Sequence, residues 1–129
     1  GAAGVVRAEL AKEVERGALG YVSYAMSNYQ YSNEVRHILE KFVSQLKVQN
    51  RKVVLVLSPY HPSLYDLMRL QDRKFLEIES IFKDFAVANG VQLIGSYDPT
   101  KVGCSSEDFY DGMHPKDSCM VKVFSELRR

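Results

Sequence analysis

Lys52-Val53-Val54-Leu55-Val56-Leu57-Ser58-Pro59 contains the longest uninterrupted apolar run of the chain, the five residues from Val53 to Leu57. The run is continuous, not alternating, which is the pattern of a parallel strand with helices over both faces. It predicts a strand over Lys52–Ser58 that Pro59 and Pro62 terminate. Upstream, Val35, Ile38, Leu39, Phe42, Val43 and Leu46 recur at the spacing that lays one apolar stripe along a helix. Ser32 or Asn33 can cap that helix, Glu34 suits the positive end of its dipole, and Asn50 is a reasonable stop. Earlier still, Val6, Leu10 and Val14 predict a short helix from about Val5 to Arg16, whereas Gly20–Tyr31 fits a helix or a strand equally.

Downstream, Ser63 with Asp66 three residues on predicts a helix opened by a capping box. A second stripe, Phe75, Ile78, Ile81, Phe82, Phe85 and Ala86, runs to Asn89-Gly90, whose glycine is the expected left-handed cap. Gln92–Ser96 reads as a second strand around Leu93 and Ile94, ended by Asp98-Pro99. Pro115 reads as the first residue of a final helix, where its missing N–H costs nothing, with Met120, Val121, Phe124 and Leu127 as the buried stripe. Helix, strand, helix, strand, helix is the alternation of an α/β fold. The expectation is a partial three-layer α/β/α domain, flavodoxin-like, with parallel strands around 52–58 and 92–96. A doubly wound sheet ordinarily has about five strands. Either Gly20–Tyr31 supplies another, or residues 1–129 are a single unit forming the C-terminal part of a larger domain.

The chain of 129 residues carries 17 Lys+Arg against 16 Asp+Glu, a formal net charge of +1, with 46% apolar residues. These proportions fit one globular domain. A balanced charge without a concentrated cationic face argues against nucleic acid or an anionic membrane as partner. Five apolar residues in a row fall far short of the roughly 20 that cross a bilayer, and no charged-then-apolar leader opens the sequence, so a soluble chain is expected. Cys104 and Cys119 are too few for a disulfide scaffold and leave the redox compartment open.

In parallel α/β sheets, functional groups collect in loops beyond the carboxyl ends of the strands. Two loops qualify, Ser58–Ser63 and Tyr97–Pro115. In the second, Asp111 and His114 stand three residues apart across Gly112. That spacing lets the carboxylate accept a hydrogen bond from one ring nitrogen and leaves the other able to take a proton. A lone pair of this kind is more commonly a helix cap beside a surface histidine.

The wider string raises the sharper alternative. Tyr97-Asp98-Pro99, then Phe109-Tyr110-Asp111-Gly112-Met113-His114-Pro115 leading into the terminal helix, resembles the last block of the SGNH, or GDSL-like, hydrolase superfamily. The resemblance spans roughly Asn33 to Leu127. It implies that Asp111 orients and His114 acts as general base toward a serine nucleophile, with no cofactor. The wording Asp-Gly-Met-His-Pro is closest to members that act on cell-envelope polysaccharides and on teichoic acid D-alanylation, which implies an ester or acylated carbohydrate as substrate and an extracytoplasmic setting. The family's Gly-Asp-Ser nucleophile block, and the glycine and Gly-x-Asn-Asp blocks that supply oxyanion donors, do not occur in these residues. Without them the pair cannot run acyl transfer, so the resemblance is to the C-terminal portion of such a domain.

Ser58 and Ser96 end strands near this block, yet neither sits in the strand-to-helix elbow that exposes a nucleophile. Ser58, Tyr60 and His61 are the expected substrate-facing residues, although a histidine between two prolines more often caps or packs. His37 lies on the polar side of its helix and reads as solvated. Cys104, Cys119, Asp111 and His114 lack the paired ligand spacing of structural zinc sites, and no metal is expected. Tyr21, Tyr24, Tyr29 and Tyr31 read as a core edge or a subunit contact, and the open sheet edge makes a homo-oligomer an expectation. The rival reading is a non-catalytic α/β interaction module in which Asp111 and His114 are structural. A receiver-like version is disfavoured, because the best strand ends in Ser58-Pro59 and not in acidic residues that hold Mg²⁺.

Overall fold

The computed structural model describes Lys12, residues 33–71 and residues 73–128, with Phe75 described by its backbone alone. The helix read over Val5–Arg16, the undecided Gly20–Tyr31, the tyrosine cluster and the Ser32 cap lie outside the described residues. The order is helix α1 (Asn33–Val48), strand β1 (Val54–Leu57), helix α2 (Pro62–Gln71), helix α3 (Lys74–Asn89), strand β2 (Gln92–Gly95), two short 3₁₀ turns (Pro99–Val102 and Ser106–Asp108) and helix α4 (Asp117–Phe124). The strands pair in parallel, from Val54 opposite Gln92 to Leu57 opposite Gly95. The chain is thus mixed α/β, as its alternation predicts.

Among the described residues the three-layer arrangement is not built. Their sheet has two strands, and α3 and α4 both pack on β2. β1 is the less covered strand: Val54 and Leu55 are half-buried and Val56 is 40% exposed. The continuous apolar run therefore overstates its cover, because among the described residues the helices that pack on the sheet, α3 and α4, lie mainly on β2. α1 departs in the same sense. Val43 is buried and Leu39 and Leu46 are half-buried, but Val35, Ile38 and Phe42 of the same stripe are exposed.

The helix ends follow the sequence closely. Asn50 has a left-handed φ of 59°, its N–H donates to the Lys47 carbonyl, and the Arg51 N–H donates to Leu46. Gly90 closes α3 with φ 61° and donates to Ala86 and Val87. The ammonium of Lys47 reaches the Asn89 carbonyl and ties these two helix ends together.

Two starts differ from expectation. α2 begins at Pro62, so Ser63 is its second residue and not its cap. His61 caps it instead: Nδ1 accepts the Ser63 N–H at 3.0 Å and the carbonyl accepts the Tyr65 N–H at 2.9 Å, while Asp66 turns to Arg69 at 3.4 Å. Proline suits the first helical position because no partner for its nitrogen is needed there. α4 begins at Asp117, not at Pro115. Pro115 forms an antiparallel bridge with Phe109, flanked by Tyr110 N–H to His114 O at 2.9 Å and Lys116 N–H to Asp108 O at 2.7 Å. In a bridge of that kind the donors come from the flanking residues, so a proline is tolerated. The buried face of α4 is also displaced, to Cys119 and Val123, leaving Val121, Phe124 and Leu127 exposed and Met120 half-buried.

Among the described residues, two apolar clusters lie under the loops that follow the strands. Leu64 and Met68 of α2 pack with Tyr60, Leu67 and Tyr97. Ile94 of β2 packs with Val102, Cys104, Phe109, Cys119 and Val123, with Val54 and Met120 at its margin.

Candidate functional site

The segment from Gly103 to Lys122 is an ordered frame, built rung by rung. Cys104 and Cys119 are joined by a disulfide, and both are buried among the apolar residues over β2. Asp108 forms the second rung. One carboxylate oxygen accepts the Ser105 N–H at 2.8 Å, and the other accepts the Ser118 hydroxyl at 2.7 Å. The Ser105 amide first, then the Ser118 hydroxyl and the nearby Lys122 ammonium, hold the Asp108 carboxyl down at about 2, against the opposing effect of burial. Lys122 donates to the Gly103 carbonyl at 2.9 Å and closes the outermost rung.

The Phe109–Pro115 bridge then lifts a tight turn, 110–114, from this frame. Oδ1 of Asp111 accepts the backbone N–H of Met113 at 2.8 Å and of His114 at 2.9 Å. The same carboxylate meets His114 Nδ1, at 2.9 Å from Oδ1 and 2.8 Å from Oδ2. Burial pushes the Asp111 carboxyl up, but the Met113 amide and the ring and amide of His114 outweigh it, so its pKa lies below the ordinary value. A carboxylate is an acceptor only, so Nδ1 carries a proton, and in the neutral ring Nε2 then keeps its lone pair. The His114 side chain is 73% exposed and that of Asp111 55%.

This turn is tied to the loop after β1, which in turn meets the residues just after β2. The His61 N–H donates to the Gly112 carbonyl at 3.0 Å, and the Phe109 ring meets the His61 ring nearly edge-on at 5.6 Å. The Tyr60 N–H donates to Tyr97 O at 3.1 Å, with the two rings 5.4 Å apart. Gly112 lies close over α2, where a Cβ would come within 3.3 Å of Leu64 Cδ2. The loop after β1 thus joins Tyr97, just after β2, through Tyr60 and the segment that carries Asp111 and His114 through His61.

Of the residues singled out in the sequence, Asp111 and His114 come together. His61 does not face an open cleft: it is 4% exposed and occupied with capping α2, and burial lowers its pKa despite the field of Asp111. Tyr60 is half-buried, and Ser58 is exposed just past β1. Ser96 is buried, with its hydroxyl donating to Glu79 at 2.8 Å and accepting the Asp98 N–H at 3.1 Å, so it is held as a turn residue and not poised as a nucleophile. His37 is exposed, 3.7 Å from Glu40. Cys104 and Cys119 spend their sulfurs on each other, which removes them as metal ligands. A cavity of about 270 Å³ lies between α2 and the loop after β2, lined by Tyr65, Asp66, Arg69, Asp98 and Thr100; neither Asp111 nor His114 borders it.

Two polar hubs escaped the sequence reading. Glu79 is buried on α3, accepts Ser96 Oγ and the Tyr97 N–H at 2.7 Å, and lies 3.2 Å from Lys83 and 3.9 Å from Lys101. Its signal is an acid standing at helical spacing inside an apolar stripe, between Phe75 and Phe82. Asp108 is the partner in a capping box with Ser105, at the same spacing as Ser63 and Asp66.

No protein-family model, curated protein or solved structure matches the chain. Among the described residues no helix is long and apolar enough to cross a membrane.

Proposed function

We propose that this chain carries the general-base block of an SGNH-type serine esterase or acyltransferase, within a flavodoxin-like three-layer domain whose nucleophile and further strands come from sequence outside these residues. One contact carries the reading: His114 Nδ1 lies 2.8 Å from the Asp111 carboxylate on a ring otherwise open to solvent. Held this way, Nε2 can take the proton of an attacking serine hydroxyl and return it to the departing alkoxide, while Asp111 fixes the ring and offsets the imidazolium charge. The substrate, following the resemblance of Asp111-Gly112-Met113-His114-Pro115, is an acyl ester on a cell-envelope carbohydrate.

A second reading has its own support. Asp111 also accepts two backbone N–H groups, which a purely structural turn would need. On that reading the chain is a non-catalytic interaction module.

Hydrolysis of p-nitrophenyl acetate separates them. The isolated chain and its His114→Ala variant are expected to be equally inactive, and histidine-dependent turnover by the isolated chain would overturn the incomplete-domain reading. In the product of a coding sequence extended upstream of Gly1, His114→Ala is expected to cost about 10³-fold or more. An extended product without esterase activity, or indifferent to the substitution, favours the module.

A further inference from the structure

We propose that Cys104 and Cys119 are positioning residues of the Asp111–His114 site, so that the site is assembled only in the oxidised chain. This rests on reading those two side chains as the functional pair. The disulfide joins residues 15 apart in sequence, and Asp111 and His114 both lie between them. Both cysteines sit in the cluster with Ile94, Val102, Phe109 and Val123, at 5% and 0% exposure, so the bond anchors the frame to β2. The pair itself cannot supply that anchoring. Its two side chains are 73% and 55% exposed, and an ion pair or hydrogen bond in such contact with water contributes little. Its alignment must come from the loop that presents it.

The other rungs of the frame are non-covalent and nearer to solvent. Lys122 to Gly103 is an exposed contact, and Ser118 to Asp108 is part-buried. A dithiol reductant gives two electrons and two protons to the bond, leaving two thiols on the chain and a cyclic disulfide on the reductant. The loop then keeps those polar rungs, the Phe109–Pro115 bridge and the packing of Phe109, but no covalent tie, and the turn 110–114 is held less firmly against His61 and the strand ends. The site would exist where thiols are oxidised and lapse where they are kept reduced.

The test is amide hydrogen exchange, with the His114 tautomer read by long-range ¹H–¹⁵N correlation, on the full chain in three forms: oxidised, reduced with dithiothreitol, and Cys104→Ala/Cys119→Ala. On reduction, with two thiols verified by alkylation and mass, the amides of His61, Tyr110 and Lys116 should exchange about tenfold faster or more, because their acceptors are Gly112, His114 and Asp108. The amides of β1, β2 and α3 should keep their protection, and neutral His114 should relax from the Nδ1–H form to a mixture. The double variant should reproduce this without reductant. Unchanged loop exchange and tautomer in both forms would overturn the proposal. Equal loss of protection in β1, β2 and α3 would overturn it too, since the bond would then be a staple of the whole fold. An oxidised chain whose neutral His114 is already the Nε2–H form would instead refute the reading of the pair itself, independently of what the loop amides do.

Discussion

Asp108 shows how one side chain can organise a loop without touching the Asp111–His114 pair that the loop carries. Its carboxylate accepts from Ser105 and Ser118, and Asp108→Ala would leave those donors unpaired, at a cost of about 1–3 kcal/mol in unfolding free energy measured by urea titration. Because its pKa falls from 3.8 unfolded to about 2 folded, the unfolded chain binds the proton more readily. The stability it contributes is present above pH 3.8 and disappears as pH falls toward 2; acid unfolding followed by circular dichroism should lose this component in the Asp108→Ala variant. His61 acts at higher pH. Burial depresses its pKa below 6.5, so the folded chain resists protonation and stability should decline as pH drops from 6.5 through that lowered value. Over that window it is the unfolded chain that takes up the proton; only when the folded ring is protonated as well can Nδ1 no longer accept the Ser63 N–H, and the α2 cap is then lost. His61→Ala should remove that pH dependence and cost about 1 kcal/mol at neutral pH.

The elements differ in how far their sequences announce them. α1, α3 and both strands are each defined by their own apolar spacing and by a local stop, Asn50 and Gly90 for the helices and Pro59 and Asp98-Pro99 for the strands, so a single chain reveals them. The face of α4 is not legible this way, because what turns Cys119 inward is its bond to Cys104, a partner 15 residues away. The same division holds at the site. The contact of Asp111 with His114 spans three residues and is written locally, whereas Glu79 meets Ser96 across 17 residues and is set by the packing of α3 on β2. Gly95 belongs to this second class. It has φ 83°, and an added Cβ would lie 2.1 Å from the Leu57 carbonyl oxygen, so Gly95→Ala must spread β1 from β2. Gly103 has a similar φ of 78° but open space, with Lys122 Cδ the nearest atom at 3.9 Å. Gly103→Ala should cost about 1–2 kcal/mol from backbone strain alone, and Gly95→Ala clearly more, as thermal unfolding of the two variants would show. Glu79→Ala, which strands the Ser96 hydroxyl and the Tyr97 amide, should cost about 1–3 kcal/mol.

The described residues together make a two-stranded α/β unit in which the polar hubs and the covalent bond hold the segments beyond the strand ends. Glu79 holds the loop after β2, His61 joins the loop after β1 to Gly112, and Asp108 with the disulfide holds the segment that carries the exposed pair. Exposed apolar side chains on α1 and β1, Val35, Ile38, Phe42 and Val56, mark the opposite tendency: they are the part of the predicted stripes that the described residues leave uncovered. What every functional statement depends on is that Asp111 dictates which nitrogen of His114 bears the proton. Long-range ¹H–¹⁵N correlation of the oxidised chain, at a pH where the ring is neutral, reads this directly. Wild-type His114 should be the Nδ1–H form, and Asp111→Ala should abolish that preference; a wild-type ring protonated on Nε2, or one unaffected by Asp111→Ala, would contradict it.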